Sequence, residues 1–274
     1  MGSAELADMQ SSESPHPLAL DSVGISGLRH PVVVLDRLRA KQETVASLTM
    51  AVDLPASQRG AHLSRFLEVL SDAEGELTVR TAQGLLTAIT NQLGGSRATI
   101  DAEFPYFIEK RAPVSGARGL LDVACRFTFR GGADAMDFVL TVIVPVTTLC
   151  PCSRAVSDYG AHNQRCAVTI SVRTARTASP TDDEIVWIEE LVDLAERHAS
   201  APIYPVLKRP DERFVTMQAY DNPAFVEDVV RGVAADLAAD HRVTEFFVEA
   251  SSDESIHNHR AFARVGHPLI QCSN

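Results

Sequence analysis

No stretch of this chain reaches about 18 uncharged apolar residues, the length a helix needs to cross a bilayer, so no helical membrane span is expected. Positive charge is in deficit: 25 Lys and Arg stand against 36 Asp and Glu, leaving −11 at pH 7. Nucleic acid is a poor partner for such a surface, because phosphate binding needs a basic face. A small anionic substrate needs only a local basic cluster and stays admissible. The start lacks the basic-then-apolar pattern of a secretory signal; residues 1–21 are small, polar and acidic and read as a disordered leader. Cysteine is scarce and odd in number, with five at 125, 150, 152, 166 and 272. Without an export signal a disulfide framework is not expected. The expected compartment is the cytoplasm, and the clustered thiols read as metal-binding, catalytic or buried.

What is present suits a globular core: 45% of the 274 residues are hydrophobic and 22% are charged. Structure is expected from about Ser22. Alternation of apolar and polar residues predicts strands over Glu43–Leu54, Arg97–Glu109, Gly119–Phe129 and Met136–Thr147, with "RGGADAM" turning the last pair. His62, Phe66, Val69 and Leu70 are spaced for a helix that stops at Gly75. A second helix over Thr78–Leu93 should end at Gly94–Gly95. Later come a strand in "QRCAVTISVRTA" and an amphipathic helix over Asp183–His198. A helix capped by Asn222 with Pro223 first, a strand in "VTEFFVEAS" and a last short strand in "SIHNHRAFARV" complete the order. Strands in hairpins with grouped helices make an α+β pattern. The same antiparallel-sheet-plus-helix-pair unit is expected twice, over 22–148 and 149–274.

The chemistry concentrates in "VPVTTLCPCSRAVSDYGAHNQR". Cys150 and His162 are good zinc ligand types, and they lie twelve residues apart across a loop that can fold back to converge them. A Cys-x-Cys pair is by itself a weak signal, and only one of Cys150 and Cys152 need be a ligand. Burial as small hydrophobes is the alternative. His257 and His259, two apart in an expected strand, would face one side and supply a ligand and a proton shuttle, or stand as a surface pair. Lys208 and Arg209 offer adjacent positive charge for a phosphate tail; a solvated, salt-bridged turn with Asp211 and Glu212 is the plainer reading. His62 and Arg65 are anion contacts or surface residues.

Taken together, "VGISGLRHPV", "GAHLSRFLEVL", the Cys/His loop, "YPVLKRPDERFVT", "AYDNPAFVEDVVR" and "ESIHNHRAFA" resemble the prokaryotic type IB GTP cyclohydrolase family, from about Ser22 to Pro268. The resemblance implies a bimodular tunnelling fold whose subunits assemble into barrels, typically as a homotetramer. It implies a divalent metal (zinc or manganese, with iron a further candidate) that serves the attack of water on C8 of GTP. The products implied are formate and 7,8-dihydroneopterin triphosphate. Position by position, it implies Cys150 and His162 as metal ligands and Cys152 as a second cysteine needed for activity. His257 and His259 match the C-terminal histidine motif, and Lys208 and Arg209 match a basic pair suited to the triphosphate.

Two positions depart from that pattern. Pro202 stands where the family has a metal-ligand glutamate, and Met217 stands where it has the glutamate that holds the guanine edge. A thioether is a weak acceptor at best. Gln218, Asp211 and Glu212 are the nearby candidates to compensate. Three readings follow: a GTP cyclohydrolase with compensated ligands; a paralogue acting on another heterocycle or carbonyl compound, with Cys150 or Cys152 as nucleophile; and a non-catalytic assembly or regulatory paralogue.

Overall fold

Burial follows the alternation residue by residue. Strand β2 (Ala40–Leu54) sinks Ala46, Leu48, Met50, Val52 and Leu54, and its intervening residues face outward. The computed structural model describes residues 8–10, 12–133, 135–175 and 180–268. Cys272 and the first seven residues of the polar leader lie outside them. The chain divides into two compact units. The first holds the described residues within Met1–Phe104, Phe127–Phe138 and Arg176–Pro180, and the second those within Pro105–Arg126, Val139–Ala175 and Thr181–Asn274.

The first unit begins with a long hairpin. Strand β1 (Leu20–Asp36) pairs antiparallel with β2 from Leu20↔Leu54 to Asp36↔Ala40. Asp36 closes the turn by accepting from the Leu38 and Arg39 amides at 2.9 and 2.8 Å. Helix α1 (Ser64–Asp72) buries Phe66, Val69 and Leu70, the stripe its sequence spacing predicts. Helix α2 (Ala82–Leu93) ends at Gly94, whose φ of 79° needs a residue without a Cβ and whose amide bonds the Thr90 carbonyl. Phe104, Phe127, Phe129 and Phe138 stack and edge together at centroid distances of 4.8–5.7 Å. They come from the strands β3 (Ala98–Arg111), β4 (Arg118–Gly131) and β5 (Met136–Leu149).

The second unit is built on β5, β6 (Asn163–Thr174), β8 (Val243–Asp253) and β9 (Arg260–His267). The pairs Leu149↔Asn163, Cys166↔Ser252 and Asp253↔Arg260 set its register. Across the chain, hydrogen bonding orders the strands β1-β2-β3-β4-β5-β6-β8-β9, and the two-residue β7 (Ala201–Pro202) pairs with β5. Helices α4 (Ile188–His198) and α6 (Val226–Ala239) bury Leu191, Val192, Val229 and Val233. Gly232 allows them to meet, since a Cβ there would lie 2.2 Å from His198 Nδ1. Lys110 and Glu196 form a mostly buried ion pair at 2.5 Å.

Several elements differ from the sequence expectation, beginning with β1, since the alternation assigns no strand before Glu43. Cys150 is followed by a short helix, α3 (Pro151–Val156), in place of an extended segment. The basic pair opens helix α5 (Arg209–Asp221) in place of a turn. Asn222 does not start the next helix: it ends α5, its amide bonding the Gln218 carbonyl at 3.1 Å, and α6 begins at Val226.

Candidate active site

The corner forms where β5 ends. Cys150 is the N-cap of α3, with Pro151 at the first helical position, and its Sγ accepts from the Ser153 amide at 3.4 Å. The Cys150 amide bonds the His162 carbonyl at 3.2 Å, so the two residues sit side by side across the open end of the β5–β6 hairpin. Ser153 holds both: its Oγ accepts from the His162 amide at 3.2 Å. Gln164 Oε1 lies 2.9 Å from His162 Nδ1, which fixes the ring and leaves Nε2 outward. Neither Ser153 nor Gln164 was singled out in the sequence. Gln164 has a signal, since residues two apart on a strand share a face.

Among the described cysteines, chemistry narrows the thiols to two. Cys125 and Cys166 are buried, and burial pushes both thiols up, Cys166 to about 12, so neither ionises near neutrality. Cys150 is half-buried and Cys152 exposed. The α3 turn puts Cys152 at the second helical position, in place of the shared face that an extended segment would give the two thiols.

A small core supports this corner. Leu149, Ala201 and Ala219 pack together with Ala161 and Val215. Each of the first two precedes a position of interest, Leu149 before Cys150 and Ala201 before Pro202, and Ala161 precedes His162. Ala219 and Val215 come from α5, so the helix carrying Met217 lies against the corner. Arg154 of α3 adds a cation–π contact, 4.6 Å above the Tyr220 ring. Pro202 lies opposite Val146 in the β5–β7 pair and offers no side-chain donor.

The other end of α5 holds the basic pair. Asp211, fully buried, accepts from the amides of Lys208, Val114 and Ser115 at 2.8 Å each and from Ser115 Oγ at 2.6 Å. Burial pushes its carboxyl up, but the Ser115 and backbone donors outweigh that and hold it well below the ordinary range. Asp211 is thus committed to fixing Lys208 and Arg209 and is not free to replace a lost carboxylate. His257 and His259 lie in a turn after β8, not in a strand, yet their rings stack at 5.0 Å and 14°. The register puts that turn at the same end of the sheet as the β5 exit. In the first unit, His62 Nε2 meets Asp8 Oδ2 at 3.1 Å, and the Arg65 guanidinium donates to the Gln92 carbonyl.

Cysteine sulfur and imidazole nitrogen are donor types suited to a divalent ion, and the backbone sets Cys150 and His162 side by side. Among the described residues no three of His, Cys, Asp and Glu stand together as a closed set.

The model of the type I GTP cyclohydrolase folE2 family matches residues 6–263. GTP cyclohydrolase FolE2 of Syntrophotalea carbinolica is 48% identical over 264 residues, covering 96% of both chains. The FolE2 of Akkermansia muciniphila is 47% identical over 267 residues, covering 97% of this chain and 98% of that protein. Among solved structures, uricase from Arthrobacter globiformis superposes with a TM-score of 0.52 at 9% identity, over 92% of this chain and 96% of that one. That likeness carries the fold alone: the α+β pattern that the hairpins and grouped helices predicted, and the tunnelling architecture that the family resemblance implied. With nearly the whole chain matched at this level of identity, the chain belongs to the type I GTP cyclohydrolase folE2 family.

Proposed function

We propose that the chain is a GTP cyclohydrolase of the IB subtype, opening the guanine imidazole ring of GTP hydrolytically to give formate and 7,8-dihydroneopterin triphosphate. The observation that carries this reading is the course of α5. Its Val215–Ala219 end packs on the residues flanking Cys150 and His162, and its first residues are Lys208 and Arg209. The separation along the helix is about 13 Å at 1.5 Å per residue, comparable to the reach of an extended nucleoside triphosphate. The ring is then held at the Cys/His corner and the phosphates at the basic end, where the helix dipole adds to the two cations.

Cys150 and His162 would hold a divalent ion, which would supply Lewis acidity at the ring. The remaining work falls to side chains. Lys208 Nζ and the Arg209 guanidinium bind the triphosphate, and Asp211 keeps their backbone in place. The imidazole nitrogens of His257 and His259 pass protons to and from the opening ring. Cys152 adds an exposed thiol two residues after Cys150. Met217 presents an apolar wall. The working form in this reading is a cytoplasmic homotetramer.

Metal-replete protein incubated with GTP should yield a product that becomes fluorescent on oxidation, and Cys150→Ala and His162→Ala should reduce it to background. Stoichiometric metal with no product would overturn the reading and favour a different heterocycle beside Met217.

A further inference from the structure

A guanine ring differs from other purines by donating two N–H groups, from N1 and from the 2-amino group, and a site that selects it needs an acceptor beside the corner. On α5 few groups qualify. Asp211 is saturated by four donors and lies at the far end of the helix. Met217 is 47% exposed and ends in a thioether. Gln218 is half-buried, and its Oε1 is buried without a hydrogen-bond partner. It stands three residues after Val215, so the two share a helix face, the face packed over Leu149, Ala161 and Ala201. An acceptor buried without a donor is costly, and a ligand N–H removes that cost.

We infer that Gln218 is the specificity-determining residue of this site, its Oε1 accepting from the exocyclic 2-amino group of guanine. This rests on the GTP reading above. It also accounts for a guanine site that lacks a carboxylate at position 217: a neutral amide one residue on supplies the acceptor.

Inosine triphosphate, which lacks the 2-amino group, separates this role from a structural one. Wild type should prefer GTP over inosine triphosphate in kcat/KM. Gln218→Met, of similar size and without the carbonyl, should lower kcat/KM for GTP by about tenfold or more and leave the inosine substrate unchanged. Gln218→Glu keeps an acceptor and should keep the preference. An equal loss on both substrates, or no loss on either, overturns the inference. Equilibrium titrations with the same two nucleotides read the preference without turnover. Absent turnover with a Gln218-dependent preference for GTP would sink the cyclohydrolase reading and leave this inference standing. Equal binding of both nucleotides by wild type would sink the inference itself.

Discussion

At the scale of single residues, the corner depends on groups that orient the ligands as much as on the ligands. Gln164 fixes the tautomer and direction of His162 through Nδ1. Gln164→Ala should therefore weaken metal binding by roughly 10–100-fold, read as retention against a competing chelator, without loss of fold. Met217 tests the opposite direction. Met217→Glu adds an anionic acceptor beside the ring and should lower KM for GTP, by roughly 1.5–3 kcal/mol of binding, on the order of tenfold or more. An unchanged KM would show that the ring does not reach this position. Cys150 and His162 could be picked out in the sequence as candidates because of their residue types, and the fold sets them side by side. Ser153 could not be, since a serine in a polar loop announces nothing. Only the fold shows its amide on Cys150 and its hydroxyl on His162.

At the scale of elements, α5 is the part whose position matters most, and Asp211 fixes it. Its carboxyl is held below the unfolded value of 3.8. The stabilisation it gives is therefore complete above that value and is lost as pH falls toward the lower folded value. Wild type should lose thermal stability as pH drops below about 4. Asp211→Asn should melt earlier than wild type at pH 7 and show a flatter fall through the acid window, the two curves converging there. Parallel curves would remove Asp211 from this role. The same helix shows where sequence reading stops. Its first turn, Arg-Pro-Asp-Glu, has the composition of a solvated turn, and only Asp211 and Ala219 are buried along its length. A helix with so narrow an apolar stripe gives little periodic signal. Asn222 and Pro223 misled for a related reason: asparagine and proline follow a helix end as readily as they precede a start. Strands β2 to β6 and helices α1, α2 and α4 were legible because each buries a regular stripe, whereas β1 was not, since only its last five residues alternate into the core. Helix α3 was not, since its six residues bury none.

At the scale of the whole molecule, the sheet ends at β1 and β9, each paired on one side only among the described residues. Strand β9 carries Phe262 at 61% and Val265 at 39% exposure, and β1 begins with Leu20 at 45%. Edge strands with exposed apolar side chains invite pairing with another chain, and closure into a barrel removes the edge. The proposed homotetramer supplies such closure, and light scattering should then give about four times the 29.7 kDa chain mass. Phe262→Lys places a charge on β9 and should release smaller species with the far-ultraviolet dichroism unchanged. Salt adds an independent check. Each chain carries −11, so copies repel one another, and the repulsion is screened as the Debye length shrinks from about 30 Å at 0.01 M to about 8 Å at 0.15 M salt. Assembly should strengthen over that range, while the binding of triphosphate to Lys208 and Arg209 should weaken. A wild type that stays monomeric across the whole series would overturn the tetramer and leave the exposed residues of β9 to some other partner.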